Sequence, residues 1–225
     1  MDPDDLDRLA DAALTRVADG MTLGLGSGHA AEAFIRRLGL RARRGLAVQC
    51  VPTSTGSAEV ARRENLRLVT LAEIDRIDVA FDGADEVTPG LHLTKGLGGA
   101  LLRERVVAHE AEVFVVLVTA DKLVPALGTR APVPVEVVPF AAPVLGRHLA
   151  ALGGTAALRP GEPGLGPYMT DNQNWIFDLR VGPIADPFAL DAKIRAIPGV
   201  VDTGLFLEMA DVVLVAEAGT VRTLS

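Results

Sequence analysis

Residues 81–104 read FDGADEVTPGLHLTKGLGGALLRE, and apolar runs enclose them: IDVAF at 77–81 before and EVFVVLV at 112–118 after. A short β-branched run that stops at a Gly/Asp turn reads as a buried strand, and so does the run that follows. Between them, residues 99–110 have the apolar spacing of a helix. Strand, turn, helix and strand make a βαβ unit, which sets the fold class. The same span carries Asp82, Asp85, Glu86, Lys95 and Glu104. Acids and a lysine beside buried strands are costly to hold unless they bind or react with something.

Upstream the pattern repeats. Leu6, Leu9, Ala10, Ala13, Leu14 and Val17 give residues 4–18 an amphipathic helix spacing, ended by Asp19-Gly20. Residues 21–25 form a short apolar strand, 30–40 a helix, 46–51 a strand, 58–64 a helix and 67–69 a strand. Alternation of this kind predicts an α/β fold with a mainly parallel sheet and helices on both faces. In such a sheet, ligands sit at the carboxyl ends of the strands. GLGSGHA (24–30), VPTSTGS (51–57), FDGADE (81–86) and TADK (119–122) each follow a strand, so they are expected on one rim.

The character changes after Lys122. PALGTRAPVPVEVVPF (125–140) carries Pro125, Pro132, Pro134 and Pro139, and suits edge-type extended backbone more than a central strand. A helix at 142–152, a Gly153-Gly154 turn, alternating segments and a helix at 187–197 follow. This reads as a smaller α+β domain, 129–203, inserted into a main domain of residues 1–128 and 204–225.

The chain has 225 residues and a net charge of −7, with no basic cluster interleaved with aromatics; RARRG at 41–45 is the densest basic spot. Nucleic acid is therefore disfavoured as a partner, while a small anion in a locally positive pocket is not. No apolar run reaches the ~20 residues of a membrane span. MDPDDLDRLA at the start lacks the order of a signal peptide, so a cytoplasmic location is expected. Cys50, the sole cysteine, reads as a buried structural thiol. Only Lys95, Lys122 and Lys193 among the 22 basic residues are lysine, which suggests positions that need a compact ammonium.

Each segment has two readings. The glycines of GLGSGHA allow an anion cradle at a helix start or a plain turn, and the GxGxG spacing does not fit a dinucleotide fingerprint. The hydroxyls of VPTSTGS allow helix capping, which explains one of them, or phosphate and sugar binding. DGADE is an Asx-turn or a metal-recruiting turn. In KGLGGALLRE, Glu104 either sits on an Arg-Glu-Arg surface or turns inward as a base, with Lys95 to stabilise an enediolate oxygen. Tyr168 and Trp175 read as core or interface residues.

Taken together, FDGADE, KGLGGALLRE, PVPVEVVPF, TDNQN and IPGVVDTGLF, in this order, resemble the type A ribose-5-phosphate isomerases. The resemblance implies a Rossmann-like catalytic domain, a smaller α+β domain and a homodimer or homotetramer. It implies a pentose-phosphate-pathway aldose–ketose isomerase that acts through an enediol, with a sugar phosphate as partner and no cofactor or metal. Glu104 matches the family's catalytic base. Asp82, Gly83, Ala84 and Asp85 match its acidic substrate-binding turn, with one aspartate assisting at the sugar oxygens. Lys95, Gly96, Leu97 and Gly98 match a second substrate-binding segment, and Lys122 matches a substrate-contacting lysine. Ser27-Gly28-His29-Ala30 stands where the family usually has Thr-Gly-Ser-Thr, so either His29 supplies the missing donor or the substrate differs at its anionic end. Leu6 replaces a lysine of many members, and Leu97 a glycine. Two other readings are an isomerase of a different sugar and a non-catalytic sugar-phosphate sensor.

Overall fold

The computed structural model describes residues 3–225; Met1 and Asp2, the first two residues of the N-terminal segment read above, lie outside the described residues. In chain order the elements are α1 (Pro3–Leu14), β1 (Thr22–Leu25), α2 (His29–Ala42), β2 (Gln49–Pro52), α3 (Thr55–Arg63), β3 (Arg67–Leu68), β4 (Ile77–Gly83), β5 (Glu86–Val87), β6 (Leu93–Thr94), α4 (Leu101–Glu110) and β7 (Ala111–Thr119). There follow β8 (Val133–Val137), α5 (Ala142–Ala150), β9 (Thr155–Leu158), β10 (Trp175–Arg180), α6 (Pro187–Arg195), β11 (Val200–Thr203), β12 (Leu205–Phe206), β13 (Val212–Glu217) and β14 (Thr220–Leu224). They form two compact units. One holds the chain up to Ala84, Arg103–Lys122 and Met209–Ser225; the other holds Asp85–Leu102 and Leu123–Glu208.

The first unit is built on a seven-stranded sheet in the order β14-β13-β7-β4-β1-β2-β3. All its pairs are parallel except β13 with β14. The α/β class expected from the sequence therefore stands. Successive side chains on a strand point to opposite faces. Leu23, Leu25, Val79 and Phe81 point to the face packed by α1, α2 and α3, through Leu9, Ala13, Phe34, Ile35 and Leu38. Phe34 stacks on Phe81 with ring centroids 4.2 Å apart. Gly24 and Ala80 point to the other face, which α4 covers. A Cβ on Gly24 would lie 2.5 Å from Val107 Cγ1, so the close approach of α4 requires glycine there. Leu6 packs against the α1–α3 core. Cys50 is buried in that core as expected, and burial pushes its thiol up to about 12.

The second unit has a four-stranded antiparallel sheet, β11-β8-β10-β9, and a three-stranded one, β12-β6-β5. Val133, Val135, Val137, Phe177 and Leu179 pack one face against Leu145, Leu149 and Ile194 of α5 and α6. Contrary to the edge-strand reading, β8 is interior and carries Pro134. The missing N–H is tolerated because the β11 ladder ends at the pair Thr203↔Val135, one residue before Pro134. Opposite Pro134 lies Gly204, whose N–H donates to Pro134 O at 2.7 Å. A Cβ on Gly204 would sit 2.7 Å from Pro134 Cδ, so glycine also makes room for the ring.

The units also part at other residues than the 128/129 and 203/204 boundaries expected from the sequence. Residues 85–102, 123–128 and 204–208 group with the second unit. Hydrogen bonding is the reason: β6 pairs with β5 and β12, and Val124 N donates to Val87 O at 2.9 Å. Glu86, wholly buried, accepts from the backbone N–H of Gly128, Arg130 and Ala131 at 2.6, 2.5 and 2.9 Å.

Candidate active site

In the first unit the strand order reverses between β1 and β4: β2 lies beyond β1 on one side and β7 beyond β4 on the other. A ligand crevice in an open parallel sheet forms at such a switch point, outside the carboxyl ends of the strands. The chain segments that leave β1, β2 and β4 meet there. Gly26 N donates to Phe81 O at 2.8 Å, and Thr53 N to Leu25 O at 2.9 Å. Asp82 is 3 % exposed, and its Oδ1 accepts from Ser27 N at 3.0 Å and from Gly83 N at 2.7 Å. A Cβ on Gly26 would fall 2.1 Å from Asp82 Cγ, so the loop closes on the carboxylate only through glycine.

Beyond Asp82 the loop enters α2. Gly28, its N-cap, has φ +83° and ψ 179° and offers no capping side chain. The first-turn N–H groups of α2 therefore keep the partial positive charge that draws anions. His29 is exposed at this helix start, whereas the methyl of Ala30 belongs to the core, leaving its main chain as the available group. Ser27 Oγ bonds with Thr53 Oγ1 at 3.0 Å and Ser54 Oγ at 2.9 Å. Ser54 and Ser57 form a reciprocal capping box on α3. Capping thus occupies two hydroxyls of VPTSTGS, not one, and Ser27 holds a third.

Glu104 lies in the first turn of α4 and is 4 % exposed. Val107 and Ala108, three and four residues on, are also buried, while Val106 and His109 face solvent. Glu104 is therefore on the buried stripe of α4, not on an Arg-Glu-Arg surface. Lys122 follows β7, with Nζ 3.8 Å from Asp121 Oδ2, and is partly exposed.

In the second unit Asp85 and the segment Lys95–Gly98 come together. Leu97 N donates to Asp85 Oδ2 at 3.0 Å, and Lys95 N to Gly204 O at 2.8 Å. Lys95 is buried, its Nζ 5.5 Å from the centroid of the Phe206 ring. Gly96 has φ +102°, and a Cβ there would lie 2.9 Å from Leu101 Cβ. Gly98 has open space beside it, and Leu97 is 46 % exposed. Arg159 donates to Gly96 O and Leu97 O, and Tyr168 to Gly98 O. Sequence reasoning left Arg159 unmentioned and took Tyr168 for core or interface. Nothing in the sequence signals Arg159, since an arginine after a short alternating strand reads as solvated. Gly204 had a signal: a glycine interrupting a strand marks close backbone approach.

Asp82, Asp85 and Glu86 each accept from backbone N–H groups, which favours an architectural reading of DGADE over a metal-recruiting one. Among the described residues, no group of three or more His, Cys, Asp or Glu side chains is arranged to hold a metal ion. Among them, too, no helix is long and apolar enough to cross a membrane.

Known proteins are similar to this chain in sequence and fold. The family model of ribose 5-phosphate isomerase A (phosphoriboisomerase A) matches residues 49–220. The ribose-5-phosphate isomerase A of Thermomicrobium roseum is 48% identical over 219 residues, 97% of this chain and 92% of that one. A solved D-ribose-5-phosphate isomerase in complex with phospho-erythronic acid superposes with a TM-score of 0.96 at 38% identity, covering 100% of both chains. The ribose 5-phosphate isomerase A structure from Methanocaldococcus jannaschii gives 0.94 at 44% identity, covering 99% of this chain and 98% of that one. The chain belongs to the ribose 5-phosphate isomerase A family.

Proposed function

We propose that the chain interconverts D-ribose 5-phosphate and D-ribulose 5-phosphate, with Glu104 as the base. The open-chain aldose loses its C2 proton to the Glu104 carboxylate, and the electron pair moves through C1 to O1, giving an enediolate. Glu104 returns the proton to C1, while the O2 proton is passed to O1, so that the C2 carbonyl forms and O1 becomes a hydroxyl. The Lys95 ammonium offsets negative charge on the enediolate oxygens. Asp82 or Asp85 assists proton movement at the sugar oxygens. The segments Gly83, Ala84 and Gly96, Leu97, Gly98 bind the sugar, and the residue 27–30 loop and Lys122 bind its anionic end.

One observation carries the base assignment: Glu104 is a carboxylate on the buried stripe of α4, beside Val107 and Ala108. Burial removes water that would otherwise solvate the base, and proton transfer then depends on position. A cytoplasmic location and a homodimeric or homotetrameric assembly belong to the same reading and rest on the family resemblance. Light scattering on the purified protein checks the assembly.

The test is an isomerisation assay on ribose 5-phosphate with and without chelator, for the wild type and Glu104→Gln. The wild type is expected to turn over in both conditions. Glu104→Gln is expected to lower kcat by about 10²–10⁴-fold with the fold intact. Near wild-type turnover in the variant would remove Glu104 as the base. A wild type that binds ribose 5-phosphate without turnover would favour the sensor reading instead.

A further inference from the structure

Arg159 follows β9, and its main chain is pinned on both sides. Its N–H donates to Ile176 O at 2.7 Å, and its carbonyl accepts from Tyr168 N at 2.9 Å. Asp178 of β10 takes one edge of the guanidinium, with Nε at 3.0 Å and Nη2 at 2.5 Å. A carboxylate fork of this kind fixes the guanidinium plane. The remaining nitrogen, Nη1, donates to two consecutive carbonyls, Gly96 O at 2.9 Å and Leu97 O at 3.0 Å. Tyr168 packs beside it, its ring centroid 5.8 Å from Arg159 Cζ, and its hydroxyl takes the next carbonyl, Gly98 O, at 3.3 Å.

We propose that Arg159 is a positioning residue for substrate binding, with Asp178 and Tyr168 as its supports; the proposal rests on the reading of Lys95–Gly98 as a substrate-binding segment. The geometry of the peptide unit gives the reason. No peptide bond among the described residues is cis, so each N–H points opposite to the carbonyl of its own peptide. Drawing Gly96 O and Leu97 O toward Arg159 turns the N–H groups of Leu97 and Gly98 the other way. Leu97 N–H does go the other way, to Asp85 Oδ2 at 3.0 Å. Gly98 N–H belongs to the next peptide, is turned by the same guanidinium, and has open space beside the residue. Arg159 thus docks Leu97 N–H on Asp85 and holds the Gly98 N–H toward the substrate's oxygens without touching the substrate. Gly96 at φ +102° and Gly99 at φ +81° supply the backbone conformations that let three successive carbonyls turn to one side.

The test uses the full chain and ribose 5-phosphate. Arg159→Met keeps length and removes the donors. It is expected to raise KM about 10–100-fold, the worth of one to two hydrogen bonds to a charged group, with a smaller fall in kcat. Arg159→Lys, which keeps one donor nitrogen and the charge but not the planar fork, is expected to recover part of the loss. Tyr168→Phe is expected to raise KM by about 2–5-fold. A merely structural arginine would lower the melting temperature and leave KM and kcat of the folded enzyme unchanged. That result for Arg159→Met overturns the proposal. If Arg159→Met fails to fold, unchanged KM in both Arg159→Lys and Tyr168→Phe overturns it. Amide hydrogen exchange at Leu97 and Gly98, read without substrate, is expected to quicken in Arg159→Met, and unaltered exchange also counts against the proposal. An inactive wild type would overturn the isomerase reading itself; an active wild type with an indifferent Arg159 would overturn only this inference.

Discussion

Two glycine-bearing loops, residues 26–30 in one unit and 95–99 in the other, solve the same problem by different means. Each has a backbone N–H held by an aspartate: Ser27 N by Asp82 and Leu97 N by Asp85. The first loop needs little else. Strands β1 and β4 bring Gly26 against Asp82, and α2 supplies its uncapped N–H groups directly. The second loop follows a two-residue strand and is shaped by residues distant in sequence, Arg159, Tyr168 and Gly204. A loop at the end of a sheet strand inherits its geometry from the sheet. A loop without that support has its carbonyls held by side chains from elsewhere in the chain, two by Arg159 and one by Tyr168.

This contrast can be broken or sharpened by substitution. The largest effect is expected from Gly26→Ala. The new Cβ would fall on Asp82, adding overpacking to the loss of charged hydrogen bonds, about 3–5 kcal/mol together. Urea unfolding should record that loss, and kcat/KM on ribose 5-phosphate should collapse with it. A stable, active Gly26→Ala enzyme would mean that the first loop does not depend on Asp82. A middle effect is expected from His29→Ala. If the imidazole donates to the substrate's anionic end, KM rises about tenfold with no change in melting temperature. An unchanged KM would mean that the loop acts through its N–H groups alone. The smallest effect is expected from Leu97→Gly, because the exposed side chain is not what holds the second loop. A stability loss of about 0.5–1 kcal/mol, from added chain entropy, should come with KM and kcat close to wild type. A large KM change would give the leucine a direct part in recognition.

What was legible in the sequence follows the same contrast. The strands and helices from β1 to β4, with α4 and β7, announce themselves by apolar periodicity, and so do the rim segments at the strand ends. Glu104 needed only the helix phase: residues 104, 107 and 108 share a face, and burial of that face settles which way the carboxylate points. The β5-β6-β12 sheet was not legible, since strands of two residues show no period. The unit boundary was misplaced for the same reason, because those short strands carry residues 85–102 into the second unit. Glu86 looked like a third acid of a reactive turn, yet it ties the main chain at residues 128–131. Pro134 argued for an edge that Gly204 makes unnecessary.

The chain passes between its two units at residues 84/85, 102/103, 122/123 and 208/209. One of these passages splits the DGADE turn, and another runs through the first turn of α4, just before Glu104. Neither unit is therefore a single continuous stretch of the polypeptide. A gene rearrangement that carried off the second unit, residues 85–208, would take α4 and β7 of the first unit with it, unlike an exchange of domains strung along a linker. A nascent chain has to emerge as far as β13 before the first unit has all its parallel strands. The Glu104 carboxylate and the acidic turn at residues 82–86 are therefore bound to the same interleaved stretch of chain.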